Sequence, residues 1–184
     1  MKPRDIAYGA VLTALGIMIP VSFGQYLRVF IPPFSATLAS HVPVLLAMLI
    51  SPVVAIMVGF GTAVGFLISY GATPVGIMIT ARAATHAVWA FAGAQMIRKG
   101  ASFQATLAAT CPLHGFLEAA VIALMVSFFG FSITGGTGMT SKDATLLTAV
   151  LIVLFGTMAH HTVDSVIAWA VAKAARRLPA VKHS

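Results

Sequence analysis

Arg82 and His86 stand four residues apart in the apolar stretch Ile77 to Trp89, IMITARAATHAVW. At i and i+4 their side chains share one helix face. A guanidinium offers five donors in a planar fork suited to a carboxylate or phosphate. An imidazole nitrogen donates, accepts or binds a metal. In the middle of a spanning helix a charged residue costs about 2.5–3.5 kcal/mol on insertion scales, so it must face a protein interior or a wet cavity and have a partner there. What Arg82 faces is therefore the question on which the function turns.

The other intramembrane ionisable groups are His41, His114 with Glu118 one turn on, and His160 and His161 with Asp164. Lipid would reject them, so they should converge. Two readings follow. In one, Arg82 pairs with Glu118 or Asp164, and Asp164 with His160 or His161, simply tying helices together. In the other, a cavity opens to the outside. There Arg82 grips an anion, Glu118 and the histidines orient it, and Tyr26 or Tyr70 covers it. The readings are compatible, because a salt bridge can line a pocket.

His114, Glu118, His160, His161 and Asp164 are also suitable metal-ligand types. Their spacing matches no established motif: no H-E-x-x-H occurs, and the adjacent His160 and His161 point in different directions. The expectation is no metal and no cofactor. The rival from another class is a small metal-dependent intramembrane enzyme on His114, Glu118, His160 and Asp164. A serine hydrolase is disfavoured by the lack of G-x-S-x-G. The lack of GxxxxGK[ST] excludes a P-loop.

The elements that must position these groups are transmembrane helices. The chain has 184 residues, 59% hydrophobic and 8% charged, with mean hydropathy +0.99, which marks an all-α integral membrane protein. The net charge of +7 does not imply nucleic acid, because the basic residues sit between apolar spans. Cys111 is alone, so no disulfide framework exists. Lys2 and Arg4 precede an apolar segment without a cleavage site, which reads as a retained first helix. About 20 apolar residues cross a bilayer. The pattern predicts a single transmembrane domain over 1–184, with six helices near 5–21, 34–50, 53–70, 75–97, 103–129 and 144–172. Ser51-Pro52 turns between the second and third, Gly71 to Pro74 breaks the third from the fourth, and Pro112 should kink the fifth. With both termini cytoplasmic, Lys2, Arg4, Arg98, Lys99, Lys173, Arg176, Arg177 and Lys182 lie inside, against Arg28 and Lys142 outside.

Small residues four apart let helices approach closely. Gly61 and Gly65 read as internal packing. The first helix carries Ala7, Gly9, Ala10, Ala14 and Gly16, more than one seam requires, which suggests a partner helix. Six helices without a visible repeat are few for a self-sufficient transporter, so energy must come from an ion gradient or a partner.

In size, six spans, termini inside and the Ala10-Val11-Leu12-Thr13-Ala14 motif, the chain resembles the substrate-binding S components of energy-coupling factor vitamin transporters. The resemblance implies a site near the outer side among helices 4 to 6 and the connecting loops. It implies that Ala10 and Ala14 dock a transmembrane coupling subunit, that two cytoplasmic ATPase subunits supply energy, and that the chain reorients in a bacterial cell membrane. The segment Phe34 to Pro43, Ser51-Pro52 and Arg82 to His86 are most similar to niacin-specific members. Nicotinate offers one carboxylate for Arg82 and a ring nitrogen for a histidine or protonated acid. Pantothenate also has a carboxylate and is the alternative. The chain has no asparagine, which leans toward a small aromatic acid. The expected lining is Arg82, His86, Glu118 and His161, with His41 and Tyr26 near the entrance.

Overall fold

Helix initiation follows the capping residues. Ser51, Thr73 and Ser102 each take extended backbone and accept a hydrogen bond from an N–H of the first turn, Val54, Gly76 and Ala105 respectively, at 3.0–3.2 Å. Proline follows at the first helical position after Ser51 and Thr73, where its missing N–H costs nothing. The computed structural model describes residues 2–130 and 146–175. Its elements are α1 (Pro3–Met18), a π-helical turn (Ile19–Phe23), β1 (Arg28–Ile31), β2 (Phe34–Thr37), α2 (Val42–Ala47), α3 (Pro52–Tyr70), α4 (Pro74–Ala84), α5 (His86–Arg98), α6 (Phe103–Phe129) and α7 (Leu146–Ala175).

Five helical segments among the described residues are long and apolar enough to cross a membrane: Pro3–Phe23, Pro52–Tyr70, Pro74–Arg98, Phe103–Phe129 and Leu146–Ala175. The protein is therefore a helical, multi-pass membrane protein with a small sheet. The helix expected over 34–50 is instead a strand, a turn and the six-residue α2. Its apolar residues mimic a span by composition, but Pro33 and Pro43 and the buried polar run Thr37, Ser40 and His41 divide it. Residues expected to form a plain loop supply β1. The two strands pair antiparallel with Arg28 opposite Thr37 and Ile31 opposite Phe34, across a cis Pro32-Pro33 peptide. Residues 131–145, which hold nearly all of the glycine-rich loop expected over 130–143 with Lys142, and the tail with Arg176, Arg177 and Lys182 lie outside the described residues.

Helix α1 packs on α3 through glycines from both sides. Gly9 faces Val54 and Gly16 faces Thr62, while Gly61 faces Thr13 and Gly65 faces the Ile17 backbone. The alanines behave differently: Ala7, Ala10 and Ala14 are exposed. Helix α3 then crosses α5 so closely that a Cβ on Gly59 would lie 2.6 Å from the Ala87 nitrogen. Between α4 and α5 the chain breaks at Thr85, whose hydroxyl donates to the Arg82 carbonyl at 2.7 Å. Pro112 lies within α6 without ending it. On α6 and α7 the buried stripe is polar, Thr110, His114 and Glu118 on one and Thr157, His161 and Asp164 on the other. Their large apolar residues, such as Phe116, Phe128, Phe155 and Val166, point outward.

The α3–α5 crossing gives a direct test of the packing. Overpacking a filled interior costs about 1–3 kcal/mol, so Gly59→Ala should lower the thermal midpoint of the detergent-solubilised protein by several degrees. Ala10→Gly, on the exposed face of α1, should move it far less.

Candidate functional site

Five of the histidines and both intramembrane carboxylates meet where α4, α5, α6 and α7 surround the turn between β2 and α2. The centre is the Glu118 carboxylate. Its Oε2 accepts from Arg82 Nε at 3.1 Å, from Arg82 Nη2, and from the Thr157 hydroxyl at 2.7 Å. Its Oε1 lies 3.2 Å from His114 Nε2 and 3.5 Å from His86 Nε2. Arg82 is 3% exposed and Glu118 5%, so neither charge is left to lipid or solvent. Arg82 Nη1 donates to the Pro33 carbonyl at 3.1 Å. Counting five guanidinium N–H groups, one on each of Nη1 and Nη2 remains for a further acceptor.

Asp164 organises the other half. Its Oδ1 accepts from the Ala39 N–H at 2.8 Å and its Oδ2 from the His41 N–H at 2.9 Å. Ala39 has φ +67°, a left-handed conformation that alanine adopts at a cost of about 1–2 kcal/mol. The two bonds hold that turn and carry His41 into the cluster. His160 Nε2 lies 3.2 Å from Asp164 Oδ2 and 3.1 Å from the Thr37 carbonyl. His41 Nδ1 is also 3.2 Å from Asp164 Oδ2. Around the His41 ring, His86, His114 and His160 have centroids 4.7, 4.6 and 4.4 Å away. His161 stands behind them: its Nδ1 is 3.0 Å from His114 Nδ1, and its Nε2 faces the Leu107 carbonyl and Thr110 hydroxyl, each at 3.3 Å.

Both ring nitrogens of His86 are buried without a hydrogen-bond partner. An unsatisfied buried polar group costs about 1–3 kcal/mol, so His86 stands out among these residues as built to meet something. A cavity of about 20 Å³ lies beside it, bordered by Phe34, Ser40, His41, Arg82, Glu118, Thr157 and His160 among others. That is room for about one water molecule.

Arg82, His86, Glu118 and His41, expected from the sequence, all line this cavity. His161 belongs to the cluster but lies behind His114 rather than on the wall. Tyr26 is 82% exposed in the turn before β1 and borders no part of the cavity. Tyr70 sits under Arg28, whose guanidinium carbon is 5.5 Å from its ring centroid. Sequence reasoning missed Phe34, Ser40 and Thr157 as lining residues. Thr157 had a usable signal: 157, 161 and 164 share one helix face. The metal spacing also looks different in space. His41, His86, His114 and Glu118 each offer a ligand atom, all within 4.8 Å of one another. They come from three separate elements, the turn before α2, α5 and α6, which a sequence motif cannot report.

No family model and no solved structure matches the chain. Among curated proteins it is similar to the niacin transporter NiaX of Lactococcus lactis subsp. cremoris. The two are 31% identical over 166 residues, which cover 89% of this chain and 70% of that protein.

Asp164 provides the test of the site's scaffold. Asp164→Ala would strand the Ala39 and His41 N–H groups, each at about 1–3 kcal/mol, and should lower the thermal midpoint sharply. Asp164→Asn keeps only one acceptor oxygen and should fall between. A midpoint for the alanine variant within a degree of the parent would show that the carboxylate does not hold the turn.

Proposed function

We propose that this chain, which belongs to the S-component family of energy-coupling factor vitamin transporters, is the niacin-binding subunit of such an importer in a bacterial cell membrane. The observation that carries the reading is a buried guanidinium with two free N–H groups at the wall of a cavity, in a chain 31% identical to a niacin transporter. The nicotinate carboxylate docks on Arg82 Nη1 and Nη2, the edge that Glu118 leaves open. Glu118 keeps the guanidinium oriented through Nε and Nη2. The pyridine nitrogen accepts from His86 Nδ1. Thr157 and Ser40 add hydroxyls at the same wall.

A pyridine carboxylic acid is much larger than a cavity of about 20 Å³. Binding therefore needs one wall to move. Five helices, α3 to α7, supply walls; the remaining wall comes from the segment between Pro33 and Ser40, which carries Phe34. Phe34 faces Arg82, with 6.0 Å between the guanidinium carbon and the ring centroid. It rests on Gly156, where a Cβ would meet the ring at 2.8 Å. Displacing that segment frees Arg82 Nη1 from the Pro33 carbonyl and enlarges the space beside His86. We place this opening on the outer side, with both termini cytoplasmic and the segment over 34–50 counted as the sixth membrane-embedded element.

Energy comes, in this reading, from a coupling subunit and two cytoplasmic ATPase subunits. The exposed Ala7, Ala10 and Ala14 give α1 a face on which another helix backbone can lie close. The glycines of the same helix are already used by α3, which separates the docking face from the internal seam.

Two measurements test these assignments. Labelled nicotinate should bind the purified parent and lose at least tenfold in affinity, about 1.4 kcal/mol, with Arg82→Lys, which keeps the charge opposite Glu118 but not the fork. Equal affinity would remove Arg82 from the ligand. Ala10→Leu with Ala14→Leu should leave nicotinate binding intact and abolish uptake in cells expressing the coupling and ATPase subunits; undiminished uptake would place the coupling surface elsewhere.

A further inference from the structure

The charge balance of the buried centre is uneven. Arg82, Glu118 and Asp164 are the charged side chains there, so with neutral histidines the cluster is left with excess negative charge. A desolvated excess of one sign calls for a counter-charge. Four donors already surround a suitable place. Around a tetrahedral ion with bonds of about 2.0–2.1 Å, neighbouring donors lie roughly 3.3–3.4 Å apart. The Glu118 Oε1 separations from His114 Nε2 and His86 Nε2 are 3.2 and 3.5 Å. His41 supplies a third imidazole within the 4.8 Å that encloses all four ligand atoms.

From this geometry we infer that His41, His86, His114 and Glu118 bind one divalent transition-metal ion of the zinc type.

Three further observations support the site. The His86 nitrogens are buried and otherwise unpartnered. Metal-bound rings bond outward through the second nitrogen, and two of the three rings have a group placed there, a carboxylate for His41 and an imidazole for His114. His41 Nδ1 lies against Asp164 Oδ2 at 3.2 Å, leaving Nε2 for the ion, and His114 Nδ1 lies 3.0 Å from His161 Nδ1. The cavity of about 20 Å³ is bordered by three of the four ligands and is of the size of a single ion or water. The donor set of three imidazoles and a carboxylate suits zinc and its neighbours rather than calcium or magnesium, which take oxygen.

This inference stands apart from the niacin reading. The two are compatible, since an ion on His86 Nε2 keeps the proton on Nδ1, the nitrogen assigned to the pyridine.

The test uses full-length protein without a histidine tag, loaded with zinc, passed through gel filtration and analysed for metal. The parent should retain about one zinc per chain, and His86→Leu and His114→Leu should retain at least tenfold less. His86→Cys replaces the ring with another zinc donor and should retain the ion. Loaded with cobalt(II) instead, it should show a thiolate-to-cobalt charge-transfer band that the parent lacks. A parent that elutes folded with less than about 0.1 equivalent of zinc overturns the proposal. So does full retention by His86→Leu. If the leucine variants fail to elute folded, the cobalt spectrum of His86→Cys decides: the band supports the site and its absence sinks it. Nicotinate binding measured in chelator on the same preparation bears on the niacin reading alone.

Discussion

A carboxylate cannot be buried in a membrane protein without company, and Glu118 has assembled its company from four helices, α4 to α7. Arg82 reaches it from α4, Thr157 from α7, His86 from α5 and His114 from its own helix. Removing one member of a buried ion pair costs about 3–5 kcal/mol, because the other charge is left unpaired. The pair is weak evidence for stability in itself, since apolar residues of similar volume often do as well. Its persistence in a chain this apolar is better explained by what it presents. Glu118 occupies one edge of the guanidinium and leaves the other available.

Asp164 solves a second problem with the same economy. The stretch between β2 and α2 is irregular backbone at the centre of a membrane protein, and its N–H groups need acceptors that lipid does not provide. Two of them find a carboxylate on α7. That arrangement fixes Ala39 in a left-handed turn and places His41 among the other rings. Irregular backbone is tolerated at such depth where it is buried in protein or lines a cavity, and Ser40 and His41 do line one. The glycine seams complete the scheme. By drawing α1 onto α3 and α3 onto α5, they bring apolar helices together by close backbone approach and leave the polar stripes of α6 and α7 to face the centre.

Much of this was legible from residue types. An arginine in an apolar helix demands a partner, and among the acidic residues only Glu118 and Asp164 sit in the interior of predicted spans, Asp5 standing at the end of the first; the sequence left the choice between the two open. Helix α6 was readable to its ends because its hydropathy stays high on either side of Pro112, His114 and Glu118, and Ser102 and Gly130 bracket it. The segment over 34–50 was not. Its apolar content imitates a span, and the distinction lies in which acceptors its N–H groups find, a property of α7 rather than of the segment. The break at Thr85 was equally hidden, since threonine is common inside helices and the hydroxyl-to-carbonyl bond that marks it is local geometry. Tyr26 was drawn toward the site by its loop position, yet nothing in the sequence specifies the direction in which a loop aromatic points.

The two centres differ in what they leave unfinished, and the proposed function rests on that difference. Asp164 is fully engaged: two backbone N–H groups and two imidazoles surround it, so it has no capacity to spare for a ligand. Around Glu118 the accounts stay open. Arg82 retains N–H groups, His86 has two nitrogens without hydrogen bonds, and a cavity adjoins both. A protein selected only to hold helices together would close such a gap with one more methyl group, since a cavity costs stability. Here the gap is walled on one side by the Pro33 to Ser40 segment, paired along its length with β1, held at its far end by Asp164 and tied to α4 at its near end by the bond from Arg82 to the Pro33 carbonyl. In the proposed reading, an anion competing for Arg82 would act on that near end, so that recognising the ligand and releasing the wall would be the same event.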